Sequence, residues 1–263
     1  MNLVKKPQGK LVLFDIDGTL LDRHNRIPAS AKRAIFTLKE AGHTVALASG
    51  RSPFMLEHLR RELGLHSYVS FNGQYVVHEH RLIYSNPIGP ELVAQLAAFA
   101  SEQEHPLVYL DAEGMRCNQQ HHPYVEQCMR SLDVLYPECD PRYYEGRHIY
   151  QTMLFCTEEH EAMFRQAFPD LHFVRWHPCS MDVLPAGGSK AAGIERLIAE
   201  TGFRPEDIYA FGDNYNDMEM FRFVGCSIAM GNAPKAVKKL AAFVTSEAEQ
   251  DGIWHGLRWA GLL

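Results

Sequence analysis

Short apolar runs of strand length recur along this chain, and segments with helical spacing lie between them. The runs Leu11–Phe14, Thr44–Ala48 and 208–211 contain almost no polar residues, which is typical of strands buried on both faces of a parallel sheet. Residues 28–42 carry apolar side chains at helical spacing and end in a glycine, and a second helical pattern covers residues 53–63. This alternation predicts an α/β fold with a doubly wound parallel sheet.

The pattern changes in the middle of the chain. Between residues 82 and 186, strand-like runs such as Leu107–Leu110 alternate with helical patterns, and aromatic and histidine residues become more frequent. The original alternation resumes after two consecutive glycines, which have the composition of a flexible link. We therefore expect a core made of residues 1–81 and 187–263, with an inserted α+β domain at residues 82–186.

The first apolar run delivers two carboxylates into a Gly-Thr turn, in the sequence Asp15-Ile16-Asp17-Gly18-Thr19. Successive strand side chains point to opposite faces, so Asp15 and Asp17 are predicted on one side and Ile16 on the other. An ordinary Asp-Gly turn would explain one aspartate but not two beside a buried strand end. Two acids placed in this way can share one metal ion or one phosphoryl group.

Polar residues also follow the other predicted parallel strands. Because the carboxyl ends of parallel strands meet at one edge of a sheet, we expect these residues to lie near the paired aspartates. They supply carboxylates for a divalent cation and hydroxyl and amide groups for phosphate oxygens, and Lys190 at the start of a predicted helix adds an ammonium group. The residues that follow these strands are Ser49, Gly50, Arg51, Asn72, Asp213, Asn216 and Asp217. This combination favours phosphoryl transfer.

Several of these residues have simpler explanations when taken singly. Ser49 could cap a helix, Asn72 could belong to a plain turn, and Arg51 could form a surface ion pair. However, the sequence lacks the motifs that would indicate other common types of catalytic or nucleotide-binding site. The chain has no Gly-x-x-x-x-Gly-Lys-Ser/Thr loop, no Gly-x-Gly-x-x-Gly after the first strand and no Gly-x-Ser-x-Gly. A nucleotide-binding loop, a dinucleotide fold and an α/β-hydrolase are therefore unsupported.

The bulk properties narrow the choice of partner and compartment. The chain has 263 residues, 46% of them hydrophobic, and a formal net charge of −6 without a prominent basic cluster, which argues against a nucleic-acid partner. The apolar stretch after Lys10 is too short for a signal peptide or a membrane span, so no membrane partner and a cytoplasmic location are expected. No heptad repeat is visible, and a monomer is expected.

The cysteine pattern predicts neither a disulfide framework nor a metal site. The six cysteines include no Cys-x-x-Cys pair and no tight Cys/His cluster along the sequence. In a cytosolic chain such residues are most simply free thiols, and zinc is not expected.

The motifs together resemble a known family. Asp15-Ile-Asp-Gly-Thr19, Ser49-Gly-Arg51, Lys190 and Gly212-Asp-x-x-Asn-Asp217 resemble the four motifs of the haloacid dehalogenase (HAD) superfamily in order and spacing. The inserted segment and the tail of the chain are similar to the Cof-type phosphatase branch with a large α/β cap, type IIB. The resemblance covers the whole chain and implies a Rossmann-like core with an inserted cap domain that bears on substrate choice.

The resemblance also implies roles for the acids. Asp15 would be the nucleophile that forms an aspartyl-phosphate, which water then hydrolyses. Asp17 would protonate the leaving oxygen and then deprotonate the water, while Lys190 would stabilise the developing charge. Mg²⁺ would be held by Asp15, by the backbone carbonyl of Asp17 and by Asp213. Asp217 would orient Lys190 or a metal-bound water, and its direct ligation of the metal stays open.

The remaining motif residues would contact phosphate or substrate; these are Thr19, Ser49, Gly50, Arg51, Asn72 and Asn216. The expected function is a Mg²⁺-dependent phosphomonoester hydrolase that acts on small phosphorylated metabolites, with sugar phosphates as the first class and pyridoxal phosphate or flavin mononucleotide as further candidates. Two alternatives stay open: a phosphomutase or phosphotransferase, and a non-enzymatic sensor that binds a phosphorylated metabolite.

Overall fold

A computed structural model describes residues 9–132 and 134–263, and these residues form two compact units. The larger unit runs to Arg51, resumes from Leu56 to Ser85 and returns from Ser189 to Leu263. The smaller unit comprises Ser52–Met55 and Asn86–Gly188.

The strands and helices of the two units are numbered here along the chain. The strands are β1 (Leu11–Phe14), β2 (Thr44–Ala48), β3 (Tyr68–Ser70), β4 (Tyr75–His78), β5 (Arg81–Ser85), β6 (Leu107–Leu110), β7 (Met115–Cys117), β8 (Gln151–Leu154), β9 (Leu171–His177), β10 (Ser180–Pro185), β11 (Ile208–Gly212), β12 (Cys226–Ala229) and β13 (Phe243–Val244). The helices are α1 (Ala29–Glu40), α2 (Pro53–Leu63), α3 (Pro90–Glu102), α4 (Pro123–Ser131), α5 (Glu158–Ala167), α6 (Lys190–Thr201), α7 (Met218–Phe223), α8 (Lys235–Lys238) and α9 (Gly252–Trp259).

The larger unit is built on an eight-stranded sheet in the order β13-β12-β11-β1-β2-β3-β4-β5. The strands from β13 to β3 pair in parallel, and β4 and β5 continue the sheet antiparallel. The chain leaves β1 toward β2 on one side and later returns to β11 on the other, so the strand order reverses at β1. In open α/β sheets this reversal opens a crevice at the carboxyl ends of the strands, where ligands bind.

Strand β1 carries apolar side chains on both faces of the sheet, and helices pack against each face and cover them. Its four residues are fully buried. Val12 and Phe14 belong to one hydrophobic cluster, which includes Leu38 of α1, whereas Leu13 belongs to the opposite cluster together with Ile194 of α6. Burying a side chain of this size stabilises the fold by about 1.5–3 kcal/mol, so both clusters hold β1, and the turn that follows it, in place.

The smaller unit has a five-stranded antiparallel sheet in the order β7-β6-β8-β10-β9. Alternate residues of its strands, such as Tyr109 and Met181, pack in a hydrophobic cluster with Leu96 of α3 and Phe164 of α5. The opposite side of β10 carries the polar residues Ser180 and Asp182, as the two-residue period of a strand requires.

The architecture confirms the predicted α/β class with an inserted α+β segment, but both ends of the insertion differ from the expected ones, since this part of the smaller unit runs from Asn86 to Gly188. Residues 82–85 were expected in the insertion, but they form part of β5 in the larger sheet because β5 pairs with β4. Strand β3 ends at Ser70, because the next two residues, Phe71 and Asn72, adopt positive φ angles of 50° and 49°.

Among the helices of the described residues, none combines the length and apolar character needed to cross a bilayer.

Candidate active site

Asp15 lies at the carboxyl end of β1, where the strand order of the sheet reverses. Its backbone N–H donates to the carbonyl of Phe211 at 3.0 Å, which extends the pairing with β11 by one residue. The side chain is 6% exposed. Burial raises the pKa of the Asp15 carboxyl well above its usual range, the positive charge of Lys190 opposes that rise, and nearby carboxylates add to it.

The turn after Asp15 requires a glycine. Gly18 has a φ of 78°, and a Cβ atom at this position would lie 2.4 Å from Oδ2 of Asp213. A side chain at position 18 would therefore both strain the backbone and displace Asp213. The Asp-Gly-Thr sequence brings the first loop within reach of the loop after β11.

Lys190 is the first residue of α6, and its side chain is fully buried. Ser189 caps this helix, since its Oγ accepts from the backbone N–H of Ala192 at 3.3 Å. Lys190 Nζ donates to Asp15 Oδ1 at 2.5 Å and to Asp217 Oδ1 at 2.6 Å. Burial by itself lowers the pKa of Lys190, but the two carboxylates outweigh it and hold the pKa above its usual value. The ammonium group therefore stays charged beside Asp15.

Asp217 holds Lys190 from the other side. It is fully buried, and its Oδ2 accepts from the backbone N–H groups of Asp213 at 2.9 Å and Asn214 at 3.0 Å. Its Oδ1 accepts from Lys190. Because both oxygens have partners, the geometry suits a residue that positions Lys190 and the loop after β11.

Asp213 is held by two donors from different loops. Thr19 Oγ1 donates to Asp213 Oδ1 at 3.1 Å, and Asn232 Nδ2 donates to Oδ2 at 2.9 Å and to the carbonyl of Gly18 at 3.0 Å. Burial raises the pKa of Asp213 to about 6, with a further contribution from the charge of Asp217, while the hydrogen bond from Thr19 opposes the rise. Thr19, expected to contact phosphate, thus contacts Asp213 in this structure.

Sequence reasoning did not single out Asn232 as a site residue. It follows β12, a parallel strand next to β11, so its position at the same edge of the sheet was the available signal.

The carboxylates of Asp15, Asp213 and Asp217 form an oxygen cluster in which one oxygen from each lies within 4.8 Å of the others. Three acids face a single buried lysine, so the cluster carries an excess of negative charge in a site of low dielectric. Oxygen donors with excess negative charge fit Mg²⁺ better than zinc. The carboxylate of Asp17 lies outside this cluster.

Asp17 is instead paired with Arg51. Arg51 donates from Nη2 to Asp17 Oδ1 at 2.5 Å and from Nε to Oδ2 at 2.9 Å, which is a two-pronged contact. The Asp17 side chain is 57% exposed and that of Arg51 25% exposed. An ion pair that is partly exposed to solvent contributes little to stability. Separating Asp17 from Arg51 therefore costs little free energy, and either side chain can contact a bound ligand instead.

The loops after β2 and β3 meet beside this pair. Ser49 is buried, and its Oγ accepts from the backbone N–H of Arg51 at 3.1 Å. Asn72 adopts a left-handed conformation, and its Oδ1 accepts from Asn216 Nδ2 at 3.1 Å. A Cβ atom on Gly50 would lie 3.0 Å from the Asn72 amide, so Gly50 permits the close approach of these loops.

Every site residue expected from the sequence therefore lies in the larger unit, in the loops at the carboxyl ends of its parallel strands or at the start of α6. One hydrogen-bonded network joins Asp15, Lys190, Asp217, Asp213 and Thr19. Two further pairs are Asp17 with Arg51 and Asn72 with Asn216. A buried carboxylate beside a fixed cation, together with a set of oxygen ligands, would suit attack on a phosphoryl group.

A family model and a curated relative both match almost the whole chain. A family model described as haloacid dehalogenase-like hydrolase matches residues 12–257. YkrA of Bacillus subtilis, which carries the name of a phosphatase without a stated substrate, is 44% identical over 254 residues, covering 97% of this chain and 98% of YkrA.

Two solved structures are similar over almost the whole chain. A hypothetical protein from Geobacillus kaustophilus superimposes with a TM-score of 0.93 at 49% identity, covering 97% of this chain and 100% of that protein. BT4131, described as a sugar phosphatase of HAD subclass IIB, has a TM-score of 0.85 at 29% identity, covering 97% of this chain and 100% of BT4131.

Proposed function

This chain belongs to the haloacid dehalogenase-like hydrolase family and is a phosphatase, and on that premise we propose that it is a Mg²⁺-dependent phosphomonoester hydrolase. Its substrates are small phosphorylated metabolites, with sugar phosphates as the first class. The reaction passes through an aspartyl-phosphate on Asp15. The observation that carries this proposal is the fully buried Lys190, held between Asp15 and Asp217 beside the oxygen cluster.

Asp15 is the nucleophile in this proposal. One of its carboxylate oxygens forms a bond to phosphorus as the bond from phosphorus to the substrate oxygen breaks. Lys190 keeps the carboxylate oriented and offsets negative charge that develops at the phosphoryl group. Water then attacks the phosphorus of the aspartyl-phosphate, which restores the Asp15 carboxylate and releases inorganic phosphate.

Asp17 moves the protons in both halves of the reaction. It gives a proton to the leaving oxygen of the substrate and later accepts one from the attacking water. Its place outside the carboxylate cluster supports this assignment, because a carboxylate committed to a metal would be a poor proton donor. Arg51 contacts both Asp17 oxygens, and we propose that it moves to the substrate when the phosphoryl group is bound.

The metal ligands in this proposal are Asp15, Asp213 and the backbone carbonyl of Asp17. The chemistry that a bound Mg²⁺ ion supplies is withdrawal of charge from the phosphoryl oxygens. Asp217 keeps Lys190 and the loop after β11 in position, and Thr19 and Asn232 orient Asp213. The phosphate oxygens are bound by the Ser49 hydroxyl, the amide groups near Gly50 and the side-chain amides of Asn72 and Asn216.

One observation supports sugar phosphates as the first substrate class. BT4131, which shares the architecture over almost the whole chain, is described as a sugar phosphatase.

The test is phosphate release from a panel of sugar phosphates, pyridoxal phosphate and flavin mononucleotide, with Mg²⁺ and with EDTA. We expect release that requires the metal and that Asp15→Asn abolishes. Asp207→Asn, which changes an aspartate paired with Lys10 outside the site, is the matched control and should keep full activity. Activity retained by Asp15→Asn would contradict the proposed nucleophile.

The same panel separates hydrolysis from the two alternatives. A phosphotransferase would move the phosphoryl group to an added acceptor sugar, and product analysis with and without that sugar would detect the new ester. A sensor would bind a phosphorylated ligand without releasing phosphate. Turnover is favoured over a sensor because the carboxylate proposed as nucleophile, the buried lysine and the acidic ligands are all present.

We further propose that the enzyme works in the cytoplasm as a monomer. The six cysteines are unpaired thiols in the structure, which fits a reducing compartment.

A further inference from the structure

A second cluster of metal-binding side chains lies in the smaller unit, formed by Cys128, His177 and Cys179. Cys128 is on α4, His177 is the last residue of β9, and Cys179 lies in the turn before β10. The sulfur atoms of both cysteines lie 3.2 Å from Nδ1 of His177, and the two sulfurs are 3.5 Å apart. Both cysteines are buried, and His177 is partly buried.

These separations are close to those of a tetrahedral metal site. With Zn–S bonds of about 2.3 Å and Zn–N bonds of about 2.0–2.1 Å, tetrahedral angles place two sulfurs about 3.8 Å apart and a sulfur about 3.6 Å from a nitrogen. The three atoms here need to separate by only about 0.3–0.4 Å to reach these values. Such a change is within the range of small side-chain rotations.

Without a metal, Nδ1 of His177 lies near more hydrogen-bond donors than it can accept from. Nδ1 of His177 faces both thiols, and it also lies 3.3 Å from the backbone N–H of Cys179. A ring nitrogen offers one lone pair, so it accepts one of these three donors well. A cation at the centre of the cluster would use the nitrogen lone pair and both sulfurs together.

The geometry points to a transition-metal site, with Zn²⁺ as its preferred ion, held by Cys128 Sγ, Cys179 Sγ and His177 Nδ1. Gln127 Oε1, 3.9 Å from Cys179 Sγ, supplies the fourth position directly or through a water molecule. Each thiol releases its proton to solvent as its sulfur binds the metal. Two thiolates, a neutral imidazole and a neutral oxygen ligand balance the charge of Zn²⁺, which a largely buried site requires.

The site would fasten α4 to the turn between β9 and β10. Cys128 and His177 are 49 residues apart in sequence, so a metal that joins them closes a long loop and stabilises the folded smaller unit. Its soft sulfur donors differ from the oxygens of the Asp15 cluster, so the two sites select different ions. The inference therefore does not depend on the proposed function of the larger unit.

The experiment is a Co²⁺ titration of the reduced, metal-free full-length protein in the presence of excess Mg²⁺, with protein thiols counted beforehand. We expect one equivalent of Co²⁺ to produce a thiolate-to-cobalt charge-transfer band and the strong visible bands of tetrahedral cobalt. Zn²⁺ should remove these bands by displacement. Cobalt bound to the carboxylate cluster gives no thiolate band, so the signal reports on this site alone.

Three variants complete the test. Cys128→Ser and Cys179→Ser should lose the thiolate band, and Cys139→Ser, which changes an exposed cysteine of the same unit, should keep it. Zn²⁺ should raise the melting temperature of wild type and Cys139→Ser but not of the other two variants. Absence of the thiolate band in reduced wild type would overturn the inference. This outcome is measured on wild type alone, so it does not depend on whether the variants fold. A band that survives in both cluster variants, or a Cys128–Cys179 disulfide in protein purified without oxidant, would also overturn it.

Discussion

Replacing Lys190 by methionine tests the electrostatic centre of the site. Methionine keeps the length and much of the volume of the side chain but removes the ammonium group that donates to Asp15 and Asp217. Asp15 and Asp217, which are 6% and 0% exposed, would then face each other without a counterion in the metal-free protein. The pKa of Asp15, already raised by burial, should rise further.

The size of the effect follows from this burial. Removing one partner of a buried ion pair costs about 3–5 kcal/mol, because the remaining charge is left without compensation. Loss of a fixed charge that stabilises a phosphoryl-transfer transition state lowers kcat by about a hundredfold to a thousandfold. The double variant Lys190→Met/Asp217→Asn should regain part of the stability, since it leaves a single carboxylate, but it should regain little activity.

Urea unfolding and steady-state phosphate release would measure the two effects. Lys32→Met is the matched control, because Lys32 makes a partly exposed ion pair with Glu62 in the same unit. It should change stability by less than about 0.5 kcal/mol and leave activity intact. A Lys190→Met protein that unfolds at the wild-type urea concentration and keeps the wild-type kcat would refute the role given to Lys190.

Three further substitutions test other parts of the account. Asp17→Asn should slow hydrolysis by about a hundredfold or more for alkyl phosphates but less for an activated aryl phosphate, and equal losses on both would remove the acid role from Asp17. Asn232→Ala should raise the Mg²⁺ concentration needed for half-maximal activity by about 10–100-fold, because Asp213 loses a donor to Oδ2; an unchanged Mg²⁺ requirement would argue against this positioning. Asp182 concerns pH. Burial raises its pKa from 3.8 to about 7, against opposing hydrogen bonds, so the folded protein holds this proton where the unfolded chain has lost it. Stability should therefore fall as the pH rises from about 4 to 7, by up to about 4 kcal/mol. Asp182→Asn should flatten that dependence in urea unfolding at several pH values, and identical slopes for both proteins would contradict the assignment.

The larger unit could be predicted well because its signals are local. Strands such as β1 and β2 are apolar on both faces, and their helices carry regular spacing and clear ends, so pattern alone predicts them. Strand β9 is different. It alternates buried Leu171 and Phe173 with exposed or half-buried residues and ends in His177, which is a weaker signal than the continuous apolar runs of β1 and β2.

The residues of the site were predictable because parallel strands bring their carboxyl ends to one edge. That rule placed Asp15 and Asp213 in one neighbourhood without any knowledge of distances. It does not apply to Lys190, which begins a helix and whose role was assigned through the family resemblance. It could not show that Thr19 donates to Asp213 or that Arg51 lies on Asp17, since these depend on side-chain rotamers.

The cysteine and histidine cluster was not predictable from sequence spacing. His177 and Cys179 are separated by one residue, but Cys128 reaches them only because α4 packs near the turn between β9 and β10. The sequence therefore favoured free thiols and no zinc, whereas the fold brings three ligand atoms together.

In the proposed reaction, Asp15 carries the phosphoryl group during turnover. The most direct test is to quench the enzyme in acid during hydrolysis of a good substrate and to map the covalently bound phosphate by mass spectrometry. We expect phosphate on the peptide that contains Asp15 in wild type and none in Asp15→Asn. Phosphate on another residue would contradict it.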